Sequence, residues 1–228
     1  LPISAANGIR AEKLDVQGVK ELEPHATPYQ VGIYSPDTFV IDSKAVVRVL
    51  QEQLTQRGVT FVLGSAVTDI NPTTHAVTAG NEIYHYGYLF NCAGASADRI
   101  ARPFGLCSDY TLLPFKGMYY QLRPEKAHLV RANIYPVPDI DLPFLGVHLT
   151  RVISGEVYVG PTAIPAFGRE NYGRLKGIKL GEGAEIIREM LAMYRSNQGN
   201  FRALVHSEMT NYLKPYFVKR AQKLMAEL

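Results

Sequence analysis

The chain has 228 residues, with 24 Lys and Arg against 21 Asp and Glu, a formal net charge of +3, and 46% of it is hydrophobic. That length holds one large domain or two modest ones with ample core-forming material, which excludes disorder as the main state. The small positive excess is spread out with no Lys/Arg block, which argues against a dedicated nucleic-acid surface, and no apolar run approaches the ~18 residues that cross a bilayer.

In chain order, Leu14, Val19 and Leu22 are spaced like one face of a short helix beginning after Asp15 and stopped by Pro24. Residues 31–40 read as extended. Asp42 offers an N-cap oxygen to a helix whose apolar positions Ala45, Val46, Val49, Leu50 and Leu54 keep a 3.6-residue period, and Gly58 ends it. Residues 59–63 are apolar and β-branched, the run resumes over 67–70, and Asn71-Pro72 marks a turn before 75–78, so an αβ unit followed by a meander is expected. Residues 86–92 read as a buried strand feeding the tight turn Ala93-Gly94-Ala95 and a short helix from Ser96. From 112 the character changes to strands rich in Tyr, Phe and Met, over 112–122, 133–137, 144–152 and 156–160, which predicts an antiparallel sheet. The segments 185–194, 201–212 and 216–228 have helical periodicity, interrupted by Pro215. The expected architecture is α/β plus α+β, with a boundary near 103–113. Leu1 is not a methionine and the helical pattern runs to Leu228, so a piece of a longer protein is expected.

Cys92 and Cys107 cannot build a disulfide framework and lack CxxC spacing, which points to a reducing compartment and no zinc motif. The six histidines lie too far apart for two to ligate from one helix face, so no metal site is expected. Gly181-Glu182-Gly183-Ala184-Glu185-Ile186 fails as a dinucleotide fingerprint, because Ile186 stands where close packing needs a small residue and Glu182 would face a pyrophosphate. P-loop and nucleophile-elbow motifs are absent.

Three segments have more to say about chemistry. The small residues of Asn91–Asp98 let backbone approach a bulky ligand, although a well-packed turn would read the same way. On an ideal strand His148 shares a face with Gly146 and Thr150, and the glycine clears space for an imidazole suited to taking a proton near neutral pH. Arg151 points the other way, as a solvated charge or a carboxylate clamp. Lys116, within Pro114-Phe115-Lys116-Gly117, either snorkels from a sheet edge or points into a cleft that holds an anion.

Taken in order, several stretches carry a resemblance: Ala6-Asn7-Gly8-Ile9, Glu21-Leu22-Glu23-Pro24, Leu63-Gly64-Ser65-Ala66-Val67, Asn91-Cys92-Ala93-Gly94, Pro114-Phe115-Lys116-Gly117 and Ile134-Tyr135-Pro136-Val137-Pro138-Asp139. The most specific is Pro143-Phe144-Leu145-Gly146-Val147-His148-Leu149-Thr150-Arg151 with Val159-Gly160-Pro161-Thr162 behind it. The chain resembles the middle of an FAD-dependent oxidoreductase of the D-amino-acid-oxidase-like superfamily, and within it the L-2-hydroxyglutarate oxidase/dehydrogenase family.

The resemblance implies residues 1–30 as entry to a substrate domain, 31–110 as part of a Rossmann-like FAD-binding domain without its GxGxxG strand, and 111–228 as an antiparallel-sheet substrate domain with C-terminal helices. It implies FAD as cofactor in the complete protein, with Val67, Ala93 and Gly94 bordering its adenosine half. The implied reaction takes L-2-hydroxyglutarate to 2-oxoglutarate, with His148 as base and Lys116, Tyr135, Arg151 and Thr162 as partners for the carboxylates of a small dicarboxylate. The electron acceptor would be a quinone, another carrier or oxygen, and this piece alone would lack turnover. A cytoplasmic location is expected, or a mitochondrial one in a eukaryote, with any inner-membrane contact made through segments outside this chain. Two alternatives stay open: another amine or hydroxy-acid oxidase of the superfamily, and a non-catalytic binding domain of a degenerate flavoprotein.

Overall fold

The computed structural model describes residues 2–138, 145–173, 175–209 and 213–228. Asp139, Pro143, Phe144 and Tyr212, which belong to the expected segments, lie outside these. The elements in order are α1 (Pro2–Ala6), β1 (Glu12–Asp15), α2 (Val16–Leu22), β2 (Val31–Tyr34), α3 (Ser43–Gln56), β3 (Val67–Asn71), β4 (Ala76–Ala79), β5 (Glu82–His85), α4 (Ala97–Ala101), β6 (Phe115–Gln121), β7 (His148–Arg151), β8 (Val157–Pro165), α5 (Leu180–Ser196), α6 (Phe201–Met209) and α7 (Lys214–Gln222). They form two compact units. The first comprises Leu1–Val46, Lys116–Ile164 and Asn197–Leu228, and the second Val47–Phe115 and Pro165–Ser196. This division follows tertiary contacts rather than chain order, so 31–46 belong to the first unit and 165–196 to the second.

In the first unit, Asp15 caps α2 by accepting a 2.8 Å bond from the Gly18 amide, and β1 pairs antiparallel with β2. The main sheet has the order β6-β8-β7, with β7 and β8 antiparallel. Leu122 N–H donates to Val157 O at 2.8 Å while Met118 N–H donates to Thr162 Oγ1 at 3.3 Å, so β6 and β8 also run in opposite directions. One face of this sheet carries the core: Leu149, Val157 and Val159 pack with Val130, Phe217, Ala221 and Met225. Leu149 pairs with Val159 and Arg151 with Val157, so strand alternation turns His148 and Thr150 to the opposite face. Pro215 lies in the first turn of α7, where a missing N–H costs nothing, and helix formation continues from it. Glu208 on α6 binds Arg220 at 3.3 Å and accepts from the Ala163 amide at 3.3 Å, tying two helices to β8. The buried Glu23 carboxylate accepts the amides of Arg131 (3.2 Å) and Ala132, which anchors the segment that continues to Tyr135.

In the second unit, β3, β4 and β5 form an antiparallel meander. Residues 59–63, expected as the strand of an αβ unit, and 86–92, expected as a buried strand, form no strand, and Leu63 and Phe90 are 73% and 86% exposed. The pattern for a buried strand specifies side chains only. A strand also needs a backbone ladder on its edges; Tyr86 N–H donates to His75 O at 3.0 Å, and among the described residues neither segment continues into a ladder. The strand expected to complete the αβ unit is therefore not formed among the described residues, and the fold is mixed α/β with antiparallel sheets. In the first unit, Asp42 Oδ1 accepts the amides of Lys44 and Ala45 at the start of α3, as the sequence predicts; in the second, the rejected glycine fingerprint at 181–186 lies inside α5. Among the described residues no helix is long and apolar enough to cross a membrane.

Phe217 is 1% exposed and its ring lies 4.8 Å from that of Tyr120, so α7 is held to the sheet largely through this side chain. A Phe217→Ala substitution is expected to cost about 3–5 kcal/mol in urea unfolding, from lost transfer energy and the cavity left behind.

Candidate functional site

On the sheet face opposite the core, His148 is 7% exposed and faces Gly160 across the β7–β8 ladder. Its Nδ1 lies 3.0 Å from the Gly146 carbonyl oxygen. A carbonyl can only accept, so Nδ1 carries a proton, and in the neutral imidazole Nε2 is then the acceptor nitrogen. Tyrosines surround the imidazole. The Tyr135 ring is 4.8 Å away and tilted by 37°, and the Tyr119 ring is 6.3 Å away at 74°. Tyr158 meets Tyr119 edge-on at 6.5 Å. Burial, with a smaller contribution from Tyr135, pushes the Tyr119 hydroxyl up from its ordinary value and keeps it a protonated donor at neutral pH.

Tyr135 is placed by a backbone bridge in which Ile134 and Leu149 exchange two 2.9 Å bonds. The same segment forms one wall of a largely apolar cleft of about 370 Å³, whose other walls include Val19, Leu22, Val31 and Tyr34. Thr162 is buried on β8, where its hydroxyl accepts the Met118 amide.

The expected cations are placed differently. Arg151 points to the core side, where Nη1 donates to the carbonyls of Ala127 and Val130, both at 3.0 Å, and its amide donates to Asn133 Oδ1 at 2.9 Å. Those carbonyls end a short 3₁₀ helix at 124–129, so the guanidinium fastens that helix to β7. Lys116 is half-buried on β6, and strand alternation puts it on the side of Tyr120, which packs on Phe217, rather than of Tyr119. His148 is thus brought together with Tyr135, and neither Lys116 nor Arg151 shares its face. From the sequence, neither Tyr119 nor Tyr158 received a chemical role. Their period-two relation to Gly117 and Gly160 was the available signal.

In the second unit, Val67 opens β3 with an exposed side chain, and Ala93 and Gly94 form an exposed turn before α4. Gly94 has φ +52°, and a Cβ built there would meet nothing within 4 Å. Asn91 braces the turn, donating to Ala97 O at 2.8 Å and accepting the Ala93 amide at 3.2 Å. A braced backbone turn of small residues with open space beside it leaves room for a bulky ligand such as a dinucleotide at Ala93 and Gly94. Beneath the turn lies a buried ion-pair network. Arg169 bonds both oxygens of Asp98, Nη2 donating to Oδ2 at 2.8 Å, and Arg99 binds Glu182 at 2.6 Å. Among the described residues no group of three His, Cys, Asp or Glu is placed to hold a metal ion.

Hydrogen bonding from Arg169 holds the Asp98 carboxyl below its ordinary value despite burial. A carboxyl lowered on folding adds stability above its unfolded value of about 3.9, and loses it as pH falls through the folded value. Asp98→Asn is expected to cost about 3 kcal/mol at neutral pH and to flatten the acid limb of stability, read by denaturant unfolding across the pH range. Gly160→Ala would bring a Cβ to 2.7 Å from the Tyr119 ring and 2.9 Å from the Met118 carbonyl. It is expected to displace Tyr119 from His148 and to lower stability by about 1–3 kcal/mol, seen in near-ultraviolet dichroism and thermal melting.

Residues 3–210 match the family model described as FAD dependent oxidoreductase (DAO). The chain is 33% identical to the L-2-hydroxyglutarate dehydrogenase of Escherichia coli (strain K12), over 99% of this chain and 53% of that protein. It is 34% identical to the mitochondrial L-2-hydroxyglutarate dehydrogenase of Nematostella vectensis, over 92% of this chain and 51% of the relative. The human mitochondrial enzyme of the same name is 34% identical over 73% of this chain and 39% of its own length. The chain spans about half the length of the first two of these relatives. A match over most of its length shows that this chain belongs to the DAO family of FAD-dependent oxidoreductases.

Proposed function

We propose that the protein containing this chain oxidises the hydroxyl-bearing carbon of a small 2-hydroxy dicarboxylate, L-2-hydroxyglutarate, to the 2-oxo acid, and that His148 is the base. The observation that carries this reading is the His148 imidazole, buried with its Nδ1 proton committed to the Gly146 carbonyl and its other nitrogen left as an acceptor. Family membership and the names of the relatives support the substrate class.

FAD, when bound, supplies an acceptor for the hydride that leaves the substrate C2. The remaining chemistry belongs to this chain. Nε2 of His148 takes the hydroxyl proton as the C–O bond becomes a carbonyl, and the Nδ1–H bond to Gly146 holds the ring while it becomes cationic. The Tyr119 and Tyr135 hydroxyls, on the same face, are proposed donors to the substrate carboxylate nearest C2. Thr162 supports them by fixing the β6 backbone from which Tyr119 projects. Arg151 and Lys116 are assigned supporting roles in the sheet rather than contacts with substrate.

In the full-length protein, His148→Ala is expected to lower kcat by about 10²–10⁴ with flavin content unchanged, and His148→Gln to do the same. Normal turnover in either variant would remove His148 from the mechanism. Substrate profiling tests the class separately: turnover of L-2-hydroxyglutarate supports it, and turnover of sarcosine or glycerol phosphate in its place refutes it.

A further inference from the structure

The second unit contains a charged network that the proposed chemistry does not use. Arg169 has a side chain only 9% exposed and makes two kinds of contact at once. Its Nη1 donates to the Ala95 carbonyl at 2.6 Å, and its Nη1 and Nη2 together grip the Asp98 carboxylate. Its Nε lies 3.4 Å from Glu182 Oε1, which Arg99 holds from the other side. Ala95 ends the open turn and Asp98 lies in the first turn of α4, so one guanidinium spans the stretch that follows Gly94.

Asn91 fixes the entry to this turn and Arg169 fixes its exit, which leaves Ala93 and Gly94 between two braced points. Gly94 adopts a left-handed φ that an unbraced peptide would hold only part of the time. A backbone surface that must meet a rigid ligand binds more tightly when its conformation is set beforehand, because ordering is not then charged against binding. A planar fork holds both oxygens of Asp98 in fixed directions and still points an N–H at the carbonyl, whereas the three rotatable N–H groups of an ammonium impose no such directions.

We infer that Arg169 is a positioning residue for FAD, acting through the Ala95 carbonyl and Asp98 to preset the Ala93–Gly94 turn against the cofactor. The inference rests on the reading that this turn borders FAD. It predicts a specific partition: loss of Arg169 weakens cofactor affinity, while turnover of the FAD-saturated enzyme is preserved.

The test is made on the full-length protein stripped of flavin and titrated with FAD, followed by flavin fluorescence. Arg169→Lys, which keeps the charge and is the variant most able to fold, is expected to raise the FAD Kd about tenfold with kcat at saturating FAD within twofold of the parent. Arg99→Gln perturbs the same ion network without touching the turn, and is expected to lower the melting temperature with FAD affinity unchanged. An Arg169→Lys protein with the parent's FAD Kd overturns the inference, and so does an Arg99→Gln protein that loses FAD affinity equally, since a diffuse structural effect would then explain both. Gly94→Val separates the inference from the reading beneath it. If that variant binds FAD normally, the turn does not border the cofactor. If it binds poorly while Arg169→Lys binds normally, the turn borders FAD without help from Arg169.

Discussion

The β7–β8 ladder is the constraint on which the first unit depends. Because strand side chains alternate, the register that buries Leu149 against Val159 also turns His148 to the other face beside Gly160. A slip of one residue would carry the imidazole into the core and Leu149 out of it, so the apolar energy of the core enforces the position of the polar group. The Ile134–Leu149 bridge extends this control to Tyr135, and the contact between Gly160 and the Tyr119 ring extends it to β6. Three segments distant in sequence thereby meet at one imidazole.

The second unit uses a different physical device. Its turn at 93–95 lies on the surface, where apolar burial offers little to fix a backbone, and the constraint comes from hydrogen bonds supplied by Asn91 and Arg169. A buried ion pair such as Asp98–Arg169 adds modest net stability, because desolvation offsets much of its Coulomb attraction. Its value here lies in geometry: five fixed N–H directions define where a carbonyl and a carboxylate must sit.

Arg151 shows how similar chemistry serves two ends. The sequence placed a cation beside a strand histidine, and the geometry turned it to carbonyls that end a 3₁₀ helix. A guanidinium satisfies such orphan acceptors as readily as a substrate carboxylate, and alternation along β7 decided between the two. Lys116 was separated from Tyr119 by the same parity on β6. Glu23, given no structural role from the sequence, took up two backbone amides more than a hundred residues away.

The sequence by itself determined the local structure and the family. The caps at Asp15 and Asp42, the turn after β3, the helices of the last third and the rejection of 181–186 as a phosphate loop all follow from contacts within a few residues, which a linear pattern records. The motifs around Gly94 and His148 carried the resemblance that family membership bears out. Only the tertiary structure decided which strands exist and which side chains meet. The segments 59–63 and 86–92 have the composition of buried strands, yet strand formation depends on a neighbour's backbone, which composition does not encode. The tyrosines around His148 and the fork of Arg169 on Ala95 and Asp98 join residues up to 74 positions apart. Such pairings follow from register and packing across the fold, and no spacing along the chain reveals them.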